Sequence, residues 1–582
     1  MRRDLLLASL AVAVTHLATL PRSTWEFDET LFFRAIHQYD PVAHHPPPPG
    51  YPLFAMFGHL VRFFIPDDFA TLVAISTVAS IAGFVLLAAA FIEITGDRPA
   101  GIWGAILFHV SPAMLVHATL PISDPGALAL YAAAIWSGAA LQRDDGRAAA
   151  IRFGLFAALT VGWRPQMSIA VVPLLFATLV VARRRLLILA VFTAVCVLWL
   201  IPLALVTGGA GGLIAYETQQ ASYLAEHDAD VSRSHWTATA IALRFIAHPW
   251  GTKLLSLPLL MAAAAGGVVL LRRRTREAFP IVAASAVYLG VALAIMDPAD
   301  GVRYSLPATL GIALCAGSGL AFAARRIERP AAPYAAAALF AAGSFVYVAS
   351  IVGQRGAGDS PPVRAARWGR DAFPKHAVAL YELPLWPHAT YLLADYRPMR
   401  VDRGLAEYYD RPDVPLFIYA DGASRVPGAQ TFRWAPSDAY SKLTRNHYRV
   451  ASIIPLPPHR RFRPLRGVHA PEREPEGDEW RWLDRAAEIA LPRIVAGAVT
   501  LTVGLPGTYP REDNMLTIET EGAVTKVRLE RGRRTAVTLP LRSAGATVRT
   551  TAAHAFVPAE LPGSLNRDPR SLAVKLYDLS LH

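Results

Sequence analysis

The chain has 582 residues, of which 53% are hydrophobic and only 18% are charged. With a mean hydropathy of +0.32, this composition is too apolar for most soluble enzymes and predicts a polytopic membrane protein. The formal net charge of +12 comes from short basic clusters between apolar runs, a pattern that sets membrane topology rather than binding nucleic acid. The two cysteines, Cys196 and Cys315, both lie inside apolar runs, which excludes a disulfide framework.

Eleven apolar runs are candidates for crossing a bilayer. They cover 5–20, 69–92, 100–119, 124–141, 150–164, 167–182, 186–206, 252–271, 279–296, 304–323 and 331–352. The first run is short and could be a signal sequence, but no convincing cleavage site precedes Pro21, so we take it as the first span. The two runs at 150–182 are short and closely spaced, so they could form a broken, re-entrant element.

The basic residues predict the topology. With eleven spans and the N-terminus inside, every strong basic cluster falls on one side of the membrane. The clusters are Arg2-Arg3, Arg98, Arg143 with Arg147, Arg183 to Arg185, Arg272 to Arg274 with Arg276, and Arg325-Arg326. Segments 21–68 and 207–251, and everything after about 353, fall on the other side. We expect an integral protein of a bacterial cytoplasmic membrane whose C-terminal region lies outside or in the periplasm.

The C-terminal region divides by composition into three parts after a transmembrane domain at 1–352. A small α/β domain is expected at 353–455, with strands at 377–382, 399–402 and 415–420 and helices at 387–395 and 405–410. Residues 456–480, rich in proline and charge, are expected to be a linker. Apolar residues then alternate with a period of two through 481–582, which predicts a β-sandwich.

The first outer segment carries an unusual density of reactive side chains. Asp28 and Glu29 are adjacent, His44 and His45 follow, and Pro46 to Pro49 should form a stiff strut. Phe27, Leu31 and Ala35 recur every four residues, which predicts a short interfacial helix with Trp25 as its aromatic anchor. A segment that holds carboxylates and imidazoles at a bilayer surface is a candidate active site.

Three further polar groups fall at the outer ends of spans, and two of them have a structural alternative. They are Ser123-Asp124-Pro125, Arg164-Pro165-Gln166 and Arg303-Tyr304. Asp28 and Asp124 could simply cap helices, and Arg164 could be a structural partner of an acidic neighbour. His44 and His45 could simply be solvent-exposed surface residues. Tyr216, Gln219 and Gln220, in segment 207–251, could close over a ligand or belong to a plain interfacial helix.

These motifs, in this order, resemble the GT-C superfamily of membrane glycosyltransferases, in particular the protein O-mannosyltransferases and the lipid A aminoarabinose transferase. The resemblance rests on Asp28-Glu29, His45-Pro46-Pro47, Ser123-Asp124-Pro125 and Arg164-Pro165-Gln166 and covers about the N-terminal two-thirds of the chain. It implies a polytopic α-helical GT-C fold with an extracytoplasmic domain. It also implies transfer of a hexose or pentose from a polyprenyl-phosphate carrier to a glycan, lipid or protein acceptor.

The resemblance and the chemistry together assign roles. The resemblance gives Asp28 the role of general base, with the adjacent Glu29 as the alternative base. Arg164 has the planar guanidinium that suits the donor phosphate, and Arg303 and Tyr304 could join it. Asp124, Glu29 and His45 could hold Mg²⁺ or Mn²⁺, and no organic cofactor is expected. One carboxylate base without a second nucleophile suits single displacement with inversion.

A different class of function stays open on the sequence alone. The chain could be an envelope transporter or an assembly scaffold whose outer domain binds a partner. A transporter should show internal repeats and ionisable residues near the bilayer midplane. We find no repeat, and the carboxylates gather at one face, which favours the enzyme.

Overall fold

The structure is a computed structural model that describes residues 3–226, 232–273, 276–328, 332–435, 437–445, 448–473, 477, 479–521, 523–561 and 568–582. Arg2 and Arg274 of the basic clusters lie outside the described residues. The described chain forms two compact units. The first extends to Asp359 and includes one later helix, and the second contains the rest. The predicted domain boundary at 352 thus lies a few residues before the second unit begins at Ser360.

The first unit is helical. Its helices are α1 (Arg3–Leu17), α2 (Phe27–Ala35), α3 (Pro52–Val61), α4 (Asp68–Thr95), α5 (Arg98–His109), α6 (Pro112–His117), α7 (Asp124–Asp144), α8 (Arg147–Trp163), α9 (Ser168–Val181), α10 (Arg185–Val206), α11 (Gly209–Tyr223), α12 (Ala238–Ala242), α13 (Lys253–Arg272), α14 (Ala278–Ile295), α15 (Gly301–Tyr304), α16 (Leu306–Arg326), α17 (Ala332–Ala357) and, from later in the chain, α21 (Asp438–Leu443).

Every apolar run of the sequence overlaps at least one of these helices, which confirms the polytopic helical prediction. Within the described residues, six helical stretches are long and apolar enough to cross a membrane. They are α4, α10, α13, α14, α16 and Pro333–Ala372. The other runs form shorter or more polar helices, so the total of eleven spans stays a prediction.

The cramped pair of apolar runs at 150–182 forms a helical hairpin. α8 ends at Trp163 and α9 begins at Ser168. The start of α8 and the end of α9 meet near Asp145. The backbone N–H of Arg183 donates to the Asp145 carboxylate at 3.3 Å, and Arg184 Nε donates to the Asp145 carbonyl at 2.8 Å. The turn of the hairpin, at Arg164, therefore lies at the opposite end from Asp145.

Several of the predicted inner basic clusters meet at that same end of the first unit, because they pair with carboxylates from neighbouring helix ends. The pairs are Arg98 with Asp4 at 2.6 Å, Arg325 with Asp97 at 2.5 Å, and Arg143 with Glu93 at 3.4 Å. At least one partner in each pair is well exposed to solvent. The one-sided distribution read from the sequence thus corresponds to one end of the helical unit.

The second unit contains a five-stranded sheet and an eight-stranded sheet. Its elements are α18 (Pro361–Ala372), β1 (Val378–Tyr381), α19 (Trp386–Leu392), β2 (Met399–Arg400), α20 (Val401–Tyr408), β3 (Leu416–Asp421), β4 (Gln430–Arg433), β5 (Val450–Pro455), β6 (Arg463–Arg473), β7 (Glu479–Ala490), β8 (Ala498–Gly504), β9 (Asp513–Thr520), β10 (Ala523–Glu530), β11 (Arg534–Pro540), β12 (Thr547–Ala552) and β13 (Val574–Leu581).

The five-stranded sheet has the order β2-β1-β3-β5-β4, with β1, β2 and β3 parallel and β5 antiparallel to both β3 and β4. β1, β2 and β3 fall within two residues of the predicted strands, and α19 and α20 overlap the predicted helices. The apolar core of the sheet includes Leu380, Ile418 and Ile454, which are nearly inaccessible to solvent. The α/β prediction for this region agrees with these elements.

The eight-stranded sheet runs continuously in the order β10-β9-β12-β7-β13-β8-β11, with β6 paired to β7. Alternate residues of its strands, such as Leu501 and Val503 of β8, fill one core. Residues 456–480, expected to be a linker, instead include β6. Prolines are tolerated in this edge strand, and Gly467 adopts φ +65° where the pairing register with β7 shifts.

Candidate active site

The first outer segment places Asp28 and Glu29 in the first turn of α2, where the helix dipole favours negative side chains. The N-cap position belongs to Glu26, whose side chain makes no capping hydrogen bond. Asp28 lies within the helix, so the capping alternative does not describe it. Its side chain is 26% exposed and faces Arg303, whose Nη1 lies 3.4 Å from Asp28 Oδ2.

Arg164 lies at the break between α8 and α9. The following residue, Pro165, disfavours helical backbone at Arg164, which is extended at φ −146°. Its Nη1 donates to Asp124 Oδ2 at 2.7 Å and to Ser123 Oγ at 3.0 Å. Both Arg164 and Asp124 are buried. The acidic partner that the sequence left as an alternative for Arg164 is therefore Asp124.

Close packing of α7 against α8 brings this pair together. A Cβ on Gly126 would lie 2.5 Å from the Trp163 ring, so the approach of the two helices requires glycine at this position. Trp163 Nε1 also donates to the Ser123 carbonyl at 3.0 Å. The start of α7 and the end of α8 are thus held at a fixed separation.

Arg303, at the end of α15, is the second guanidinium of the site and is also buried. Its Nε and Nη2 donate to Asp124 Oδ2 at 3.1 and 3.0 Å. One oxygen of Asp124 therefore accepts hydrogen bonds from two arginines, while Asp28 contacts only one of them at a longer distance. We call Asp28, Asp124, Arg164 and Arg303 the outer cluster.

The outer cluster leaves particular atoms open for a ligand. In the described part of the chain, Arg164 makes hydrogen bonds only through Nη1, so its Nε and Nη2 remain free to donate. Asp28 is the most exposed carboxylate of the cluster. Asp124, by contrast, is committed to holding the two arginines. The geometry separates a partly exposed carboxylate, Asp28, from a buried one that holds two guanidinium groups, Asp124.

Tyr51 and Gln166 border the outer cluster. The Arg164 guanidinium lies 5.9 Å from the centre of the Tyr51 ring, and Gln166 Nε2 donates to the Tyr51 hydroxyl at 2.6 Å. Tyr39, whose hydroxyl donates to the Gly50 carbonyl at 2.8 Å, closes the loop that carries Tyr51. The sequence placed Gln166 in a motif but gave Tyr51 no role.

Glu29 points away from the outer cluster. Its Oε2 accepts the Trp25 backbone N–H at 2.7 Å, and its Oε1 has no hydrogen-bond partner among the described residues. The side chain is fully buried, and this burial, reinforced by the nearby Glu26 carboxylate, raises the pKa of Glu29 to about 8. Although adjacent in sequence, the two carboxylates have different environments, and Asp28 is the one that faces the arginines.

A buried pair that the sequence gave no role lies beside this segment. Arg355, near the end of α17, contacts Glu26 Oε1 at 3.4 Å and donates to the Val116 carbonyl at 2.8 Å. Burial raises the pKa of Glu26 to about 7. Arg355 also lies over the Trp25 ring, so this tryptophan is buried in protein rather than anchored at the interface as expected. The only sequence signal was an arginine just after the last apolar run.

His45 is held by its backbone rather than by the outer cluster. Its N–H and C=O both bond to Asp40, at 2.8 and 2.6 Å, and burial lowers the pKa of its ring to about 4. Within the described residues, no group of three or more His, Cys, Asp or Glu side chains is placed to hold a metal ion. Asp124, Glu29 and His45 therefore do not fit as a joint ligand set, and the divalent cation stays a prediction.

The remaining candidates border the site less closely. Tyr304 follows Arg303 directly and is half-buried. In α11, Tyr216 is also half-buried, whereas Gln219 is exposed. Burial raises the pKa of Tyr216, and its neighbours Glu217, Tyr39 and Tyr51 add to the shift.

Solved structures provide the comparison with known proteins, since no protein-family model and no curated protein matches the sequence. The apo structure of ArnT from Cupriavidus metallidurans is similar with a TM-score of 0.50 at 12% identity, over 77% of this chain and 97% of that one. ArnT bound to undecaprenyl phosphate gives 0.47 at 10% identity over the same shares. The arabinofuranosyltransferase AftD from Mycobacteria gives 0.45 at 13% identity, over 100% of this chain and 59% of that one.

ArnT is a membrane glycosyltransferase of the GT-C fold. The resemblance found in the sequence motifs therefore has a counterpart in three dimensions. The likeness to its apo structure confirms that this chain has the GT-C fold.

Proposed function

We propose that the protein is a membrane glycosyltransferase that moves a sugar from a polyprenyl-phosphate carrier to an acceptor hydroxyl. The observation that carries the proposal is the outer cluster. Four distant segments bring two arginines and two carboxylates together at the end of the helices opposite Asp145. Charges buried this deeply are costly, and such sites in membrane proteins usually serve function. The GT-C fold supports the same class of reaction.

Asp28 is the general base of the proposed reaction. An acceptor hydroxyl is a weak nucleophile until a base takes its proton in the transition state. Asp28 is exposed enough to meet an acceptor, and its one ion pair among the described residues is the longer contact with Arg303. The acceptor oxygen bonds to the anomeric carbon as the bond from that carbon to the phosphate oxygen breaks. One displacement of this kind inverts the anomeric configuration.

Arg164 and Arg303 hold the donor phosphate. Negative charge grows on the leaving phosphate as the glycosidic bond breaks, and prepositioned guanidinium groups stabilise that charge. Arg164 has two donor groups free for this, and Asp124 fixes the orientation of both arginines. The apolar helices provide the surroundings for the lipid tail of the carrier.

The outer cluster faces the extracytoplasmic side in this proposal, and the membrane is the cytoplasmic membrane of a bacterium. The basic clusters at the other end of the first unit support this orientation. Reporters fused after Arg185 and Arg274 should read as cytoplasmic, and those fused within 207–251 or after 353 as external. A cytoplasmic signal from the last fusion would contradict the proposed side of the reaction.

The direct test uses purified, monodisperse protein and a panel of polyprenyl-phosphate hexoses and pentoses. Release of polyprenyl phosphate that depends on an acceptor fraction from the cell envelope supports the proposal. NMR of the new anomeric centre should show inversion. Envelope glycans and glycolipids compared by mass spectrometry, with and without the protein, identify the acceptor. Unchanged envelope glycans together with no turnover of any donor would contradict the proposal.

A further inference from the structure

The second unit contains a cleft that the proposed reaction does not use. It has a volume of about 90 Å³, is partly open to solvent, and lies between the five-stranded and eight-stranded sheets. Its aromatic and charged lining residues are Arg460, Phe462, Glu479, Trp480, Arg481, Tyr577 and Asp578. Ligand sites commonly show this mixture of apolar walls with a few polar groups.

Arg481, in β7, is the unusual member of the lining. It is 6% exposed, yet in the described part of the chain it makes no ion pair. Its one hydrogen bond runs from Nη1 to the His469 carbonyl at 3.3 Å, and its guanidinium lies 5.5 Å from the centre of the Phe462 ring. A buried cation without an anionic partner is costly, which points to a partner that the chain does not supply.

The other charged residues of the cleft have ion-pair partners. Asp578 pairs with Arg460 at 2.7 Å, and Arg473 pairs with both Glu479 at 2.5 Å and Glu382 at 2.9 Å. Arg481 is therefore the charged lining residue that has no ion pair in the described part of the chain. A planar guanidinium binds carboxylate or phosphate groups through two parallel hydrogen bonds.

We infer that this cleft binds an acidic glycan, with Arg481 on the carboxylate or phosphate of a sugar residue. The rings of Phe462, Trp480 and Tyr577 give the cleft an aromatic wall, in which one face of each ring already contacts a cation. Asp578 and Glu479 can accept hydrogen bonds from hydroxyl groups. Trp480 Nε1 is a buried donor without a partner among the described residues, and a second ligand oxygen would satisfy it. The glycan class rests on the proposed function, whereas the preference for an anion rests on Arg481.

Binding can be measured without any transfer, so this inference and the proposed function can fail separately. The test uses the full chain in an amphiphile that contains no sugar, with tryptophan fluorescence or calorimetry as the readout. The probes are oligogalacturonide, its methyl-esterified neutral form, a phosphorylated mannan oligosaccharide, and inorganic phosphate. We expect at least one acidic oligosaccharide to bind more tightly than its neutral form and more tightly than inorganic phosphate.

Arg481→Gln should weaken that binding about 10- to 100-fold, as expected when a hydrogen-bonded ionic contact is lost. The matched control is Arg533→Gln, which removes an exposed charge from the same unit and should leave binding unchanged. If Arg481→Gln fails to fold, Arg460→Gln is the second variant. It frees the negative charge of Asp578 and should also weaken binding of the acidic probe. Equal binding of neutral and acidic probes, tightest binding of inorganic phosphate, or no binding of any oligosaccharide would overturn the inference.

Discussion

The two ends of the helical unit use charge differently. At one end, Arg98 pairs with Asp4 through side chains that are 26% and 47% exposed. At the other, Arg164 pairs with Asp124 through side chains that are 7% and 6% exposed. Exposed pairs contribute little to stability and are easily replaced, whereas buried charges are costly to keep. In the proposed function, the first end sets topology and the second end performs chemistry.

The same contrast recurs within one turn of α2. Asp28 is partly exposed and faces Arg303, while Glu29 is buried and bonded to the Trp25 backbone. In the proposed function, Asp28 takes the proton of the acceptor, while Glu29 fixes the fold of the outer segment. Substitutions of Asp28, Arg164, Glu29 and Arg98 test both of these contrasts.

The largest effect is expected from Asp28→Asn. Asparagine keeps the size of the side chain but loses the ability to accept a proton, together with the ionic contact with Arg303 at 3.4 Å. Transfer should therefore fall by about 10²- to 10⁴-fold, the usual contribution of a general base. The measurement is turnover of a polyprenyl-phosphate sugar by protein with an unchanged melting temperature. Near-normal turnover would remove Asp28 from the reaction.

The next effect is expected from Arg164→Lys. Lysine keeps the charge but cannot form the two-pronged contact with phosphate. We expect kcat/KM to fall by about 1.5–3 kcal/mol, or roughly 10- to 150-fold. Arg303→Lys should behave similarly, because its guanidinium bridges Asp28 and Asp124. Full activity of the Arg164→Lys protein would make Arg164 a structural residue only.

Glu29→Gln is expected to change stability more than activity. Because burial raises the pKa of Glu29 from 4.5 to about 8, the folded protein keeps this proton up to about pH 8, while the unfolded chain releases it near pH 4.5. Stability should fall as pH rises across this window, by at most about 1.4 kcal/mol per pH unit. The glutamine variant should melt above the wild type, and the gap should widen from pH 5 to pH 8. A gap that narrows over this range would contradict the assignment.

The smallest effect is expected from Arg98→Lys. It makes the same change as Arg164→Lys at the opposite end of the helical unit. Arg98 binds both oxygens of Asp4, at 2.7 and 2.6 Å, but the pair is exposed. Its loss should cost about 1 kcal/mol or less and leave turnover within about twofold. A loss of activity as large as that of Arg164→Lys would erase the distinction between the two ends.

The sequence predicted the helices well, because long apolar runs and one-sided arginines are strong signals. It also singled out Asp28, Asp124, Arg164 and Arg303 separately. It could not show that Asp124 binds both arginines, because that contact joins segments about 40 and 180 residues apart. The packing of Gly126 against Trp163, which brings them together, leaves no periodic pattern.

Two other features were hidden for different reasons. β6 contains Pro464, Gly467 and Pro471, so its composition resembles a linker, and only its pairing with β7 shows that it is an edge strand. Asp28 and Glu29 are oriented differently because Glu29 accepts a hydrogen bond from the Trp25 backbone N–H. Two adjacent acidic residues in a sequence do not reveal such a contact.

The central claim is that the carboxylate of Asp28 performs the chemistry while Arg164 holds the phosphate. Binding of polyprenyl phosphate without sugar, measured by calorimetry beside turnover, tests this division most directly. We predict that the Asp28→Asn protein binds the lipid as tightly as the wild type yet fails to transfer, whereas Arg164→Lys weakens binding about 10-fold or more. Equal loss of lipid binding in both variants, or normal binding by Arg164→Lys, would contradict the account.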